Sequence, residues 1–398
     1  MSVDTQHPEY DKYLPAWRTT RDCVEGPDAV RKRRTAYLPK PNPSDLSPEN
    51  SERYEDYLKR ANFVNFTGST LDGMLGMVFR EPIELDLPQA VAYLADNING
   101  AGLTFDQMAR DTVAEVLQTG RQGLLVDYPA APEGLTRAQE TAMQLRANVL
   151  GYAAEDCINW ATEVIGGVRV LSLVVLRESM RVWEDEYKSA EVPVYRVLRL
   201  IDGAYWQAVF DREGAVVVAA FQPRKAGGGR WDRIPFVFCG SQNNDPTVDR
   251  GPLYDIAAVN IAHYRNSADF EESCFLVGQP TPVFAGLNQS WVDNVMTGGV
   301  MLGSRTGVLL PEGGSGSLLQ ASPNQMPERG MELKEQQMVK IGARIIQDAA
   351  GVETATAAHI RYAGQNSKLS AVVGNVESAL VQCVEWAGGF MGAQPGAA

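Results

Sequence analysis

At 398 residues, 44% hydrophobic and 21% charged, the chain is long enough for two or three compact units of ordinary globular composition. Its net charge of −13 argues against a repressor or nuclease, which grips phosphates with a basic patch. No apolar run approaches the ~18–20 residues that cross a bilayer, and MSVDTQHPEYDK lacks the basic and apolar regions of a signal peptide, so a cytoplasmic chain without a membrane segment is expected.

Residues 1–50 read as an N-terminal arm and linker: a helix-prone aromatic stretch (Tyr10, Tyr13, Leu14, Trp17), then the basic cluster Arg31 to Arg34. The proline-rich link LPKPNPSDLSP follows, expected to be extended and to lie across a neighbouring subunit. From 51 to 121 the pattern is helical. SERYEDYLKRANFVNF offers Tyr54, Leu58, Phe63 and Phe66 for packing. Thr104 is placed to cap FDQMARDTVAEVLQ, and Gly120 to end it. GLLVDYP reads as a buried strand. Between about 152 and 239 the period changes to two, and VRVLSLVVL, VPVYRVLRLI, AYWQAVF and AVVVAAFQP predict an antiparallel meander. Residues 51–250 together make an α+β body.

Pro252 to Gly278 is the longest uninterrupted helical stretch. Leu253, Ile256, Ala257, Ile261 and Tyr264 recur on one face, and Asp255, Asn260, Arg265, Asp269 and Glu272 on the other. Ile256, Ile261 and Tyr264 are the expected packing residues. Gly278-Gln279-Pro280 stops this helix. Residues 279–325 are rich in Gly, Pro and Ser, with strand-like pieces such as GVLLP, and read as a small insert. A second charged helix is expected over 326–349, an Ala- and Gly-rich connection over 350–367, and a last helix over 368–391 striped by Leu369, Val372, Val376, Leu380 and Val384.

Chemistry is sparse. Cys23, Cys157, Cys239, Cys274 and Cys383 have no metal-binding spacing and read as buried free thiols. His7, His263 and His359 build no metal site, and His263 reads as a packing or interface residue. There is no phosphate-binding loop, and GGSGS misses the serine-nucleophile pattern by one residue. Neither a catalytic residue nor a cofactor or metal is expected. Two acidic groups keep an alternative open, a carboxylate-dependent hydrolase using Glu184, Asp185 and Glu186 or Asp245 and Asp249. Asp249 also precedes the long helix, where its charge would favour the helix N-terminus.

Three blocks, in order, resemble phage portal proteins, in a branch long labelled only as a domain of unknown function. They are LPAWRTTRDCVEGPDAVRKRRTAYLPK (Leu14 to Lys40), PLYDIAAVNIAHYRNSADFEESCFLVGQPTP (from Pro252) and ETATAAHIRYAGQNSKLSAV (Glu353 to Val372). The resemblance implies a non-enzymatic, ring-forming α+β subunit with a helical and antiparallel-sheet wing, two long stem helices and a small α/β clip. Stem helix 1 falls on 251–278, the clip on 279–325, stem helix 2 on 326–349, the tunnel loop on 350–367 and a wing or tunnel helix on 368–398. Portal proteins of this branch usually continue beyond GFMGAQPGAA, so the C-terminal part is expected to be incomplete. The implied assembly is a ring of twelve at a capsid vertex, formed in the host cytoplasm. Double-stranded DNA is packaged, retained and ejected through it, with major capsid protein, terminase and a head–tail connector as partners. His359, Arg361 and Lys368 are the candidate DNA-facing residues, and acidity suits a channel in which tight phosphate binding would act as a brake. A different head–tail connector protein is the structural alternative.

Overall fold

The computed structural model describes residues 2–129, 139, 143, 145–277, 281–295, 309–319, 325–346 and 367–393. The chain is mixed α+β, and its sheets are antiparallel. It divides into two units. The first comprises Met1–Ala29, Asn65–Asn260 and Gln337–Ala398, and the second Val30–Val64 and Ile261–Gln336.

Along the chain, α1 (Pro8–Glu25) begins at His7, whose Nδ1 accepts from the Glu9 amide at 3.2 Å. After α2 (Pro27–Lys32) comes α3 (Pro48–Arg60), capped by the Ser47 hydroxyl. α4 (Phe66–Val78) follows, and its cap Asn65 accepts from the Gly68 amide at 2.7 Å. The helical reading of SERYEDYLKRANFVNF is thus corrected. The helix stops at Arg60, because Asn65 satisfies the first orphan amides of a new one. α5 (Phe105–Thr119) has the expected Thr104 cap in a reciprocal capping box with Gln107. Gly120 ends it at φ 78°, and a Cβ there would lie 2.5 Å from the Asp249 carbonyl, so only glycine fits this corner.

β1 (Arg121–Asp127) is the central strand of a three-stranded sheet. It lies between β2 (Asn148–Ala153) and a later strand, Phe236–Gly240. The meander is a separate five-stranded sheet in sequential order: β3 (Cys157–Ile165), β4 (Val168–Trp183), β5 (Ser189–Ile201), β6 (Ala204–Asp211) and β7 (Val216–Phe221). The strand at Phe236–Gly240, β8, returns to the first sheet with Gln122 opposite Cys239. α6 (Tyr254–Val277) is the long helix. The insert holds β9 (Thr281–Ala285), α7 (Gln289–Val295) and β10 (Ser315–Leu319), the two strands pairing antiparallel. The described part of GVLLP, Leu309 to Pro311, lies outside any strand; the pairing segment is SGSLL, a few residues later. α8 (Met326–Ile346) and α9 (Lys368–Met391) complete the described elements.

The core of the first unit lies between the two sheets and α1, α4, α5 and α9. Trp17, Leu94, Val116, Leu124, Val174 and Val372 are all essentially inaccessible there. In the second unit, Leu38, Tyr54, Phe63, Tyr264 and Ala268 are buried. The proline-rich link is folded back rather than extended. The Asn50 amide donates to the Asn42 carbonyl at 2.9 Å and the Asp45 carbonyl at 2.7 Å, and the Tyr54 hydroxyl donates to the Leu38 carbonyl at 2.9 Å. One carboxamide satisfying two turn carbonyls outweighs the extended preference of the prolines. The boundary between the units falls inside α6 and inside α8.

Candidate functional site

The long helix carries the residues singled out for packing, and all three are interior. Ile256 is 0% exposed, Ile261 5% and Tyr264 0%. In the first unit Ile256 faces α8, where a Cβ on Gly342 would come within 3.8 Å of its Cδ1. In the second unit Tyr264 meets Phe63 edge-on at 5.9 Å. There too His263 Nε2 lies 3.2 Å from Glu335 Oε1, and Gly330 leaves room for the Asn266 side chain. Burial outweighs Glu335 in setting the imidazole, so His263 titrates below its ordinary range.

On the opposite face of this helix Asp255, Arg265 and Asp269 are exposed and Glu272 is partly so, but most of these side chains are tied to other segments. Asn260 is fully buried, and its Oδ1 accepts from the Thr67 amide at 3.2 Å and hydroxyl at 3.0 Å. Arg265 Nε donates to the Tyr37 carbonyl at 2.7 Å, and the Tyr57 hydroxyl donates to Asp269 at 2.6 Å. Glu272 receives Arg60 at 2.5 Å and Arg53 at 3.3 Å. Polar spacing here marks attachment of the 37–60 segment by side-chain hydrogen bonds.

The acidic groups behind the hydrolase alternative serve local structure. Asp185 sits in the β4–β5 turn and accepts from the Tyr187 amide at 2.8 Å and the Lys188 amide at 2.7 Å, which holds its pKa down. Asp249 lies just before the long helix. It turns back and accepts from the Gln242 amide at 2.7 Å, while burial pushes its pKa up. Asp245 accepts from the Thr247 amide at 2.7 Å. Neither of the two cavities described in the chain is lined by these carboxylates. Among the described residues no group of three or more His, Cys, Asp or Glu is placed to hold a metal ion. No described helix is long and apolar enough to cross a membrane.

Of the DNA-facing candidates, Lys368 is the exposed first residue of α9, directly after its cap Ser367. His359 and Arg361 lie outside the described residues. Four of the five thiols are buried, as expected, but Cys274 on the long helix is exposed.

Two arrangements were missed from sequence. Arg196 joins the two sheets of the first unit, reaching Glu178 at 2.7 Å and Asp127 at 3.0 Å, while Tyr152 donates to Glu178 at 2.5 Å. The signal was available: Arg196 falls in the same alternation phase as the buried Val194, Leu198 and Leu200. Arg121, 1% exposed, lies against the rings of Trp160 (3.9 Å) and Phe238 (3.4 Å). Nothing in RQGLLVD distinguished it from a strand-end arginine.

Residues 252–391 match a family model described as a domain of unknown function, DUF4055. The match starts just before the long helix and ends at the last residue of α9, so it spans the same ground as the second and third blocks of the portal resemblance. No curated protein matches the chain. Among solved structures, similarity extends to a chain in the virion of a native gene transfer agent particle, at 14% identity over 85% of this chain and 81% of that one, with a TM-score of 0.41. A chain in the neck of the native particle, computed with C12 symmetry, matches at 14% identity over 92% and 87%, with a TM-score of 0.40. One in the neck of the empty particle, computed with C6 symmetry, matches at 15% identity over 85% and 82%, also with a TM-score of 0.40. TM-scores this low do not define a common fold.

Proposed function

We propose that the chain is the subunit of a phage portal, a closed ring at a capsid vertex through which double-stranded DNA enters and leaves. The observation that carries this reading is the order long helix, small β-paired insert, long helix over residues 254–346. That order falls in the stretch that resembles portal proteins and matches DUF4055. In this reading α6 and α8 are the stem and the 279–325 insert is the clip. The 350–367 connection is the tunnel loop, and the α+β remainder is the wing. A ring is a heterologous assembly that closes on itself, so two different surfaces of each subunit meet. Capsid protein, terminase and a head–tail connector are the proposed partners, and Arg361 with His359 and Lys368 the proposed DNA-facing groups.

Native mass spectrometry of the purified protein, with negative-stain micrographs, tests this. A particle of about twelve subunits with a central hole is expected of a portal. A monomer at every concentration overturns the reading. Within an assembled ring, Arg361→Ala is expected to leave the subunit number unchanged and to alter DNA retention. Loss of the ring in that variant would move Arg361 to a subunit interface.

A further inference from the structure

The first unit carries an open groove of about 470 Å³ between α5, α9 and the strap that follows α4. Its floor is apolar and already buried: Phe105, Val113, Val376, Leu380 and Val384. The strap from Glu81 to Leu87 is neither helix nor strand. Ile83 and Leu87 lean on the core, while Leu85 is 38% exposed. Among the described residues the backbone of this strap makes no hydrogen bond to another backbone group. Across the groove, Val381 on α9 is 46% exposed.

The rim has one sign. Glu81, Glu84 and Asp86 on the strap and Glu377 on α9 line the groove, and among the described residues no lysine or arginine does. Two cations lie nearby. Arg80 pairs with Glu81 at 3.2 Å where both side chains are 81% exposed, so water screens that pair heavily. Arg110, exposed on α5, lies 6.0 Å from the Phe79 ring centroid. An apolar floor of this size with four carboxylates around it selects a ligand that is apolar on one side and basic at its edges. A second copy is disfavoured as occupant, since the chain as a whole carries −13.

We infer that this groove is a docking site for a basic amphipathic segment of a different protein, its apolar side chains on the α5–α9 floor and its lysines or arginines against Glu81, Glu84, Asp86 and Glu377. The inference stands whether or not the chain forms a ring, because it is read on the subunit.

The test is fluorescence anisotropy with a short Leu/Lys amphipathic peptide and, as control, a Leu/Glu peptide of the same apolar spacing. The Leu/Lys peptide is expected to bind the isolated subunit, with affinity falling as salt rises. The triple variant Glu81→Gln, Glu84→Gln, Glu377→Gln is expected to bind about tenfold more weakly and to lose most of the salt dependence. Val381→Asp changes an exposed position and is expected to abolish binding with an unchanged melting temperature. Equal binding of both peptides, or a triple variant that binds as the native protein does, overturns the proposal. So does binding by the monomer that disappears in assembled rings, which would assign the groove to a neighbouring copy.

Discussion

The Arg121 guanidinium carbon lies 3.4 Å from the centroid of the Phe238 ring and 3.9 Å from that of Trp160, two rings that meet edge to face. Its Nη2 donates to the Pro246 carbonyl at 3.2 Å, while Nε and Nη1 are buried without a partner. Burial pushes its pKa down to about 10. Ring faces attract the cation, yet they do not replace the lost hydration. Arg121→Met, which keeps the stem and removes the charge, is expected to raise stability by on the order of 1 kcal/mol. Urea denaturation checks this, and a loss of stability would mean that the contacts with the two rings outweigh desolvation.

Arg196 behaves differently because it has carboxylate partners on both sides. Arg196→Met leaves Asp127 and Glu178 facing one another in a half-buried gap, at an expected cost of about 3 kcal/mol. Adding Asp127→Asn and Glu178→Gln is expected to recover more than half of that. If the triple variant is no better than the single one, Arg196 acts through packing and not charge.

Along α6, losing a buried polar side chain and burying a charge are both expected to destabilise, the second more. Asn260→Ala leaves the Thr67 amide and hydroxyl without this acceptor inside the core, at an expected cost of about 2 kcal/mol. Ile256→Asp places a charge at a position with no accessible surface and is expected to cost more than about 4 kcal/mol. Joined with Ile261→Asp it is expected to eliminate folded subunit, not merely assembly. Circular dichroism of the soluble fraction separates those outcomes.

Alkaline pH is expected to unfold the protein earlier than most. Burial pushes Tyr93 up to about 12, and Cys157 and Cys239 up to about 12. Groups whose folded pKa is raised contribute stability that is complete below their ordinary values, about 9 for thiols and about 10 for phenols. That stability is lost as pH climbs through the folded values. The melting temperature under reducing conditions should therefore hold to about pH 9 and fall steadily between about 9 and 12. Arg121 works the other way above its lowered pKa, but it is one group against several. Tyr152 and Tyr205 are displaced upward by burial as well. A melting temperature that stays flat to pH 12 would refute this.

Helix limits were the most legible part of the chain, where caps and apolar stripes agree. The Thr104 box, the Gly120 stop and the 368–391 stripe each pair a local chemical signal with periodicity. The meander was legible for the same reason. What escaped depends on long-range partners. Asn260 reads as part of a wet face until Thr67 arrives from elsewhere in the sequence, and the exposed Arg265 and Asp269 give no local sign of their partners Tyr37 and Tyr57. The groove was invisible for a related reason: its floor residues are ordinary core positions of α5 and α9, and only the strap between α4 and α5 turns their common edge into a cleft.

Cys274 gives the chain an unplanned ruler. The other four thiols are enclosed, so a maleimide spin label should settle on this one helical position, once per subunit. In a rotationally symmetric assembly every label is equivalent, and the spacings between them form a fixed series of chords of one circle. The ratio of the second chord to the first depends on the order of the rotation axis and not on the radius. Pulsed dipolar spectroscopy on partially labelled protein would therefore count the subunits in solution.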